Sequence, residues 1–221
     1  MSETGKTPRC HIPWQEMNID ADGNVTPCCN WMSHGNTGNP YCGNVKTQNL
    51  MEIWNGEVYQ NLRKYMATGD YVRSGCANCT LIVRGEKSPL RYDRDVEGEL
   101  ATRVQEELTP YAQNMLTLRR EIAQGAAVLQ AKPTVISAVP SYSCNLRCLH
   151  CYQEPVRTKD LDRPSLLDEI RELVPTLSLI NCGGGEPLLL PIWRNFLEEL
   201  DLRSNPYLTF GTCTNATVLT K

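Results

Sequence analysis

Two rhythms of apolar and polar positions run along this chain. From residue 132 on, short apolar runs rich in β-branched residues alternate with stretches of helical period. "TVISAVP" (134–140) reads as a buried strand. "RPSLLDEIRELVPTL" (163–177) then places Leu166, Leu167, Ile170, Leu173 and Val174 on one helical face. "LSLINC" (177–182) is a second strand. "PIWRNFLEELDL" (191–202) is a second helix, with Pro191 suited to its first turn and Ile192, Trp193, Phe196, Leu197 and Leu200 sharing a face. "YLTFGTCTN" (207–215) is a third strand. Strand, helix, strand, helix, strand predicts right-handed βαβ units and a parallel sheet.

The first 131 residues are patterned differently. In "CHIPWQEMNIDADGNVTPCC" (10–29), Met17 and Ile19 alternate with polar neighbours, "DADG" turns, and Val25 resumes, which predicts a hairpin. "DADGN" lacks the closing glutamate and the ligand order of a calcium loop. "LMEIWNGEVYQNLRKYM" (50–66) spaces Leu50, Ile53, Trp54, Val58, Leu62 and Tyr65 as a helix does. In "ELATRVQEELTPYAQNMLTLRREIAQG" (99–125), Leu100, Val104 and Leu108 step by four. Pro110 should end or kink that helix, and Met115, Leu118 and Ile122 resume the pattern. The chain thus divides into residues 1–90, a helical connector over 91–131, and an α/β part over 132–221.

Composition narrows the function classes. With 221 residues, 41% of them apolar, there is enough for a core. A net charge of −3 offers no basic field to nucleic acid or to an anionic membrane. No apolar run is long enough to cross a bilayer, and the start carries no secretion signal, so a cytoplasmic location with reduced thiols is expected. Eleven cysteines is then a high count, and an odd one, which argues against a complete disulfide framework and for metal or cluster ligation. Cys182 and Cys213 fall at apolar strand positions and, with Cys42, receive no ligand role. His11 and His34 read as structural, and Trp14 and Trp54 as core residues.

"SCNLRCLHCYQ" (143–153) directly follows the first α/β strand. Four thiolates close the shell of a zinc ion or a cubane cluster; three from one loop leave a corner open for a substrate or cofactor. "GGGEP" (183–187) and "CTNA" (213–216) follow the other two strands. In a parallel sheet these three strand ends share one edge, where such folds build their sites.

The spacing of Cys144, Cys148 and Cys151 resembles that of the radical S-adenosylmethionine (SAM) superfamily. The resemblance implies that these three cysteines hold a 4Fe–4S cluster whose fourth iron is chelated by SAM. Reductive cleavage then gives a 5′-deoxyadenosyl radical that abstracts hydrogen from a substrate. It also implies that His150 and Tyr152 lie near the cofactor. Gly184, Gly185 and Glu186 match the family's glycine–glycine–glutamate turn, where the glutamate or nearby carbonyls accept bonds from SAM's ammonium group. No side chain of the chain itself is assigned a catalytic role. "TNA" (214–216) resembles a threonine–asparagine–glycine, with Ala216 in the glycine's place.

The N-terminal part is similar to the SPASM or "twitch" auxiliary-cluster domain. Cys10, Gly23 and Cys28 satisfy its spacing, and "IPW", "PCC", "GN" and "IWN" agree with it. By this resemblance Cys10, Cys28, Cys76 and Cys79 hold an auxiliary 4Fe–4S cluster, with Cys29 able to replace Cys28. A structural zinc site uses the same ligands and stays open as an alternative. Implied partners are SAM, a peptide or protein substrate, and a reductant such as flavodoxin or ferredoxin.

The expected fold is therefore α/β: the first three strands of a partial (β/α)6 barrel, preceded by a small α+β iron–sulfur domain. Because the family's barrel has six βα units, the chain reads as a truncated reading frame or fragment. Two other function classes are carried: a non-catalytic iron–sulfur electron-transfer or scaffold fragment, and a zinc module for nucleic acid, which the acidity disfavours.

Overall fold

The computed structural model describes residues 8–31, 41–88, 96–104, 107–153, 159–161 and 163–218. The expectation for His34 falls outside them. One six-stranded sheet organises the molecule, in the order β3-β2-β1-β4-β5-β6. The α/β strands are β4 (Val135–Ala138), β5 (Leu179–Cys182) and β6 (Thr209–Thr212), all parallel. The helices between them are α6 (Ser165–Leu173) and α7 (Pro191–Glu199). The hairpin is β1 (Glu16–Ile19) and β2 (Asn24–Thr26), with a two-residue β3 (Gly43–Asn44) beyond it.

The pairing of β1 with β4 was not foreseen. The two strands run parallel over four residue pairs, from Glu16 opposite Val135 to Ile19 opposite Ala138. The hairpin therefore covers the edge of β4 that a lone three-stranded sheet would expose, and satisfies its backbone groups. Along these strands Met17, Ile136 and Ile180 form one buried row, and Ile19, Ala138 and Cys182 a second. The other face carries Asn18, Ser137 and Asn181 in register. Parallel strands are ordinarily apolar on both faces. A polar row here marks the side that meets something other than helices.

Helices α1 (Leu50–Trp54), α2 (Glu57–Thr68), α3 (Thr80–Val83), α4 (Glu97–Thr102) and α5 (Pro110–Ala123) complete the fold. The continuous helix read over 50–66 is broken at Asn55 and Gly56, where Gly56 is extended and caps α2. Asn49 closes a capping box with Glu52 at the start of α1. The connector also differs from its pattern. Helix α4 ends at Thr102, so Val104 is exposed and outside any helix. Pro110 starts α5, behind the Thr109 cap, because the first turn needs no proline N–H. Of the face expected on α7, Trp193 and Phe196 are buried, while Ile192 is exposed. Trp14 and Trp54 are fully buried, as expected of core residues. A single buried cluster runs from Trp14 and Met17 through Tyr111 and Met115 to Ile170 and Phe196.

Candidate iron–sulfur sites

The three loops that follow β4, β5 and β6 meet at one edge of the sheet. Ser141 and Asp160 form an antiparallel bridge that clips together the two ends of the cysteine loop. Ser141 Oγ donates to Asp160, and Ser143 N donates back to Ser141 Oγ at 2.8 Å. Beyond this stem the chain turns outward. Cys144 and Cys151 are half-buried, Cys148 and His150 are exposed, and Tyr152 is 84% exposed.

The glycine turn lies directly beneath that stem. Gly185 N donates to Ser141 O at 3.0 Å, and Glu186 N to Ser143 O at 2.8 Å. A Cβ on Gly185 would sit 2.1 Å from Ser143 O, and one on Gly184 would sit 2.2 Å from Ser141 O. Gly184 also has a φ of +116°, a conformation reserved for glycine. These residues are glycine because backbone touches backbone.

Glu186 is buried, and its carboxylate is already engaged. Oε1 accepts from Leu188 N at 3.1 Å and from Thr214 Oγ1 at 2.8 Å, and Oε2 accepts from Asn215 N at 2.7 Å. The glutamate thus straps the loop after β5 to the loop after β6. Asn215 continues the strap: its Nδ2 donates to Asn145 Oδ1 at 2.9 Å and approaches Cys144 Sγ at 3.7 Å. Leu146 N also points at that sulfur, at 3.4 Å. Sequence reading placed "CTNA" at this edge and likened "TNA" to a threonine–asparagine–glycine, but assigned Thr214 and Asn215 no individual role.

The second set of thiols surrounds a cavity of about 280 Å³. Cys10 is fixed by a bridge to Ser88, Cys28 and Cys29 follow β2, and Cys76 and Cys79 form a tight turn with Cys79 N donating to Cys76 O at 3.0 Å. Leu62 and Met66 of α2, Trp31 and Ile82 provide apolar walls, and Glu16 lines the same space. Burial pushes the Cys10 thiol up to about 11 and Cys28 up to about 12, and raises Cys76. Each also feels other thiols of the set: Cys10 those of Cys76 and Cys79, Cys28 those of Cys10 and Cys76. Cys28 is half-buried among them, whereas Cys29 is exposed and also lines a neighbouring trough. That trough, of about 270 Å³, runs along the polar sheet face past Asn18, Ser137 and Asn181 to Gly183.

Among the described residues, no group of three or more His, Cys, Asp or Glu side chains is close enough to hold a single metal ion. The thiols of Cys10, Cys28, Cys29, Cys76 and Cys79 line a shared cavity. Both sets are cysteines, whose thiolate form is a soft ligand that suits iron–sulfur clusters. Among the described residues no helix is long and apolar enough to cross a membrane.

Comparison with protein-family models agrees with this geometry. Residues 10–80 match the SPASM iron–sulfur cluster-binding domain, and residues 138–221 match the radical SAM superfamily. No curated protein and no solved structure gave a match. The radical SAM match implies a 4Fe–4S cluster and SAM, and the SPASM match implies auxiliary iron–sulfur binding.

Proposed function

Because this chain belongs to the radical SAM superfamily and carries a SPASM domain, we propose that it reductively cleaves SAM and uses the resulting radical to abstract hydrogen from a peptide or protein substrate. Cys144, Cys148 and Cys151 would hold the catalytic cluster, and Cys10, Cys28, Cys76 and Cys79 the auxiliary one. The observation that carries the reading is the strapping of the loops after β5 and β6 to each other and to the three-cysteine loop by Glu186 and Asn215.

Bound there, the cluster and SAM would supply an electron and a 5′-deoxyadenosyl radical. The chain's own residues shape the place. Gly184 and Gly185 bring bare backbone against the stem of the cysteine loop and leave that side low. Glu186 holds the loops after β5 and β6 at a fixed separation, a positioning role, since its oxygens are already hydrogen-bonded. Asn215 aims an N–H at the Cys144 sulfur. Tyr152 and His150 stand exposed beside the loop, free to close over a nucleotide. The polar trough offers carboxamides and hydroxyls to substrate amides, shares Cys29 with the auxiliary cavity, and ends at Gly183, next to the glycine turn. We divide the chain accordingly into 1–90 (auxiliary domain), 91–131 (connector) and 132–221 (barrel strands). A cytoplasmic location is in keeping with eleven free cysteines.

Anaerobic reconstitution tests this. Iron and sulfide analysis should give about eight irons per chain, four in each cubane. Cys148→Ala should abolish SAM cleavage to 5′-deoxyadenosine and methionine under dithionite but leave the auxiliary absorbance, and Cys76→Ala should remove the auxiliary cluster alone. If either change left total iron untouched, that assignment would be wrong. Zinc without sulfide would end the proposal.

A further inference from the structure

Helix α2 carries an arginine inside the core. Arg63 is completely buried. Its guanidinium carbon lies 4.3 Å from the centroid of the Trp54 ring and 4.9 Å from that of Tyr59. Nε donates to the Pro13 carbonyl at 2.9 Å, and Nη1 to the carbonyl of Ala127 at 3.0 Å and to Asn55 Oδ1 at 3.4 Å. Nη2 is buried without a hydrogen-bond partner. Arg63 takes part in none of the ion pairs found among the described residues. The carboxylate of Glu121 acts on it electrostatically, and also accepts from the amides of Gln130 and Ala131. Burial lowers the arginine's pKa only to about 10, so it remains a cation at neutral pH. The charge is thus offset only in part, with no direct ion pair, and a buried charge in that state is unfavourable.

A further opposite charge has a natural place. Leu62 and Met66, on the same helix, line the cysteine cavity, and so does Pro13, whose carbonyl Arg63 holds. Cys42 stands electrostatically between the two: burial raises its thiol, the Arg63 charge lowers it, and Cys28 raises it again. Tyr59 likewise feels both Arg63 and Cys28. Four thiolates around a four-iron core carry net negative charge, and one-electron reduction adds to it.

We infer that Arg63 is the buried counter-charge of the cluster held by Cys10, Cys28, Cys76 and Cys79, and that it raises that cluster's reduction potential. The inference rests on reading the cavity as the auxiliary site. The aromatic rings and backbone carbonyls keep the cation from swinging away into water. Because the surroundings are dry, its field on the cavity is weakly screened.

The test uses the full chain carrying Cys148→Ala, so that only the auxiliary cluster loads. Iron and sulfide are measured first. If no cluster forms, the reading of the cavity fails, and the inference about Arg63 goes with it. With the cluster present, Arg63, Arg63→Lys and Arg63→Met forms are compared by potentiometric EPR. Arg63→Met should lower the reduced-to-oxidised ratio at fixed potential at least about tenfold, which is 59 mV for one electron. Arg63→Lys, which keeps the charge, should stay near the unsubstituted midpoint. An unchanged midpoint in Arg63→Met overturns the inference. Thermal melting gives a second reading. A counter-charge role predicts that Arg63→Met loses stability mainly in the loaded form. Equal loss with and without iron, or failure to fold in both states, would make Arg63 a packing residue and overturn the inference too.

Discussion

Gly185→Ala should dismantle the three-cysteine loop while leaving the sheet intact. The added methyl would lie 2.1 Å from Ser143 O and 2.5 Å from Tyr142 O, both backbone atoms, whereas real Cβ contacts essentially never fall under 3.0 Å. The stem leading into Cys144 must therefore withdraw by about 0.9 Å, the difference between 3.0 and 2.1 Å. That withdrawal pulls on two backbone hydrogen bonds, Gly185 N to Ser141 O and Glu186 N to Ser143 O. Each is worth about 1 kcal/mol net, and forced overpacking adds roughly 1–3 kcal/mol. A total of roughly 3–5 kcal/mol corresponds to a roughly hundredfold to thousandfold weaker hold on whatever the loop binds, at about 1.4 kcal/mol per tenfold. The assay is iron and sulfide content with EPR after reconstitution: the auxiliary signal should persist and the SAM-responsive one should be lost. Gly98→Ala, in α4 with nothing within 4 Å of the added atom, is the control. It should gain about 0.5–1 kcal/mol in helix stability. A Gly185→Ala protein with a full iron complement and unshifted melting would refute the claim that backbone contact sets these glycines.

Other outcomes follow from the same geometry. Ala216 sits at a φ of +59°, so Ala216→Gly should relieve a strain of about 1 kcal/mol and raise the melting temperature; a fall would contradict this. Asn215→Ala removes an N–H aimed at Cys144 Sγ, and cluster potential follows hydrogen bonding to sulfur. Its SAM-binding cluster should become harder to reduce, read by potentiometric titration. Burial alone would raise the Glu99 carboxyl, but hydrogen bonds from Tyr207 Oη and Thr109 outweigh it and hold the group below its ordinary 4.5. Stability from a lowered carboxyl is present above that value and lost as pH falls below it. Tyr207→Phe, which removes only the hydroxyl and keeps the ring stacked on Tyr111, should therefore be less stable than the unsubstituted chain at pH 7, with the gap closing in acid; a gap independent of pH would contradict this.

The sequence was most legible where pattern and local structure are one thing. The strands β4, β5 and β6 lie within their apolar runs, and α6 buries Leu166, Leu167, Ile170 and Leu173 as its periodicity requires. The convergence of three strand-end motifs followed from parallel topology alone. What escaped notice depended on contacts distant in sequence. Nothing in "EMNI" announces that it pairs with "VISA" more than a hundred residues later. Glu186 was read as a group that, with nearby carbonyls, faces a ligand; its letter does not show that its oxygens also accept from Thr214 and Asn215. Arg63 reads as a polar position on the apolar rhythm of α2. Only the surrounding Trp54 and Tyr59 rings reveal it as interior.

The parallel pairing of β1 with β4 also bears on engineering. The two modules share a ladder of main-chain hydrogen bonds, so neither is a cassette that can be excised at a linker. A chimera that exchanged residues 1–90 for another auxiliary module would have to import a strand matched to Val135–Ala138 in length and phase. A graft lacking it would leave a sticky edge on the recipient and precipitate, however well its thiols assembled their inorganic core.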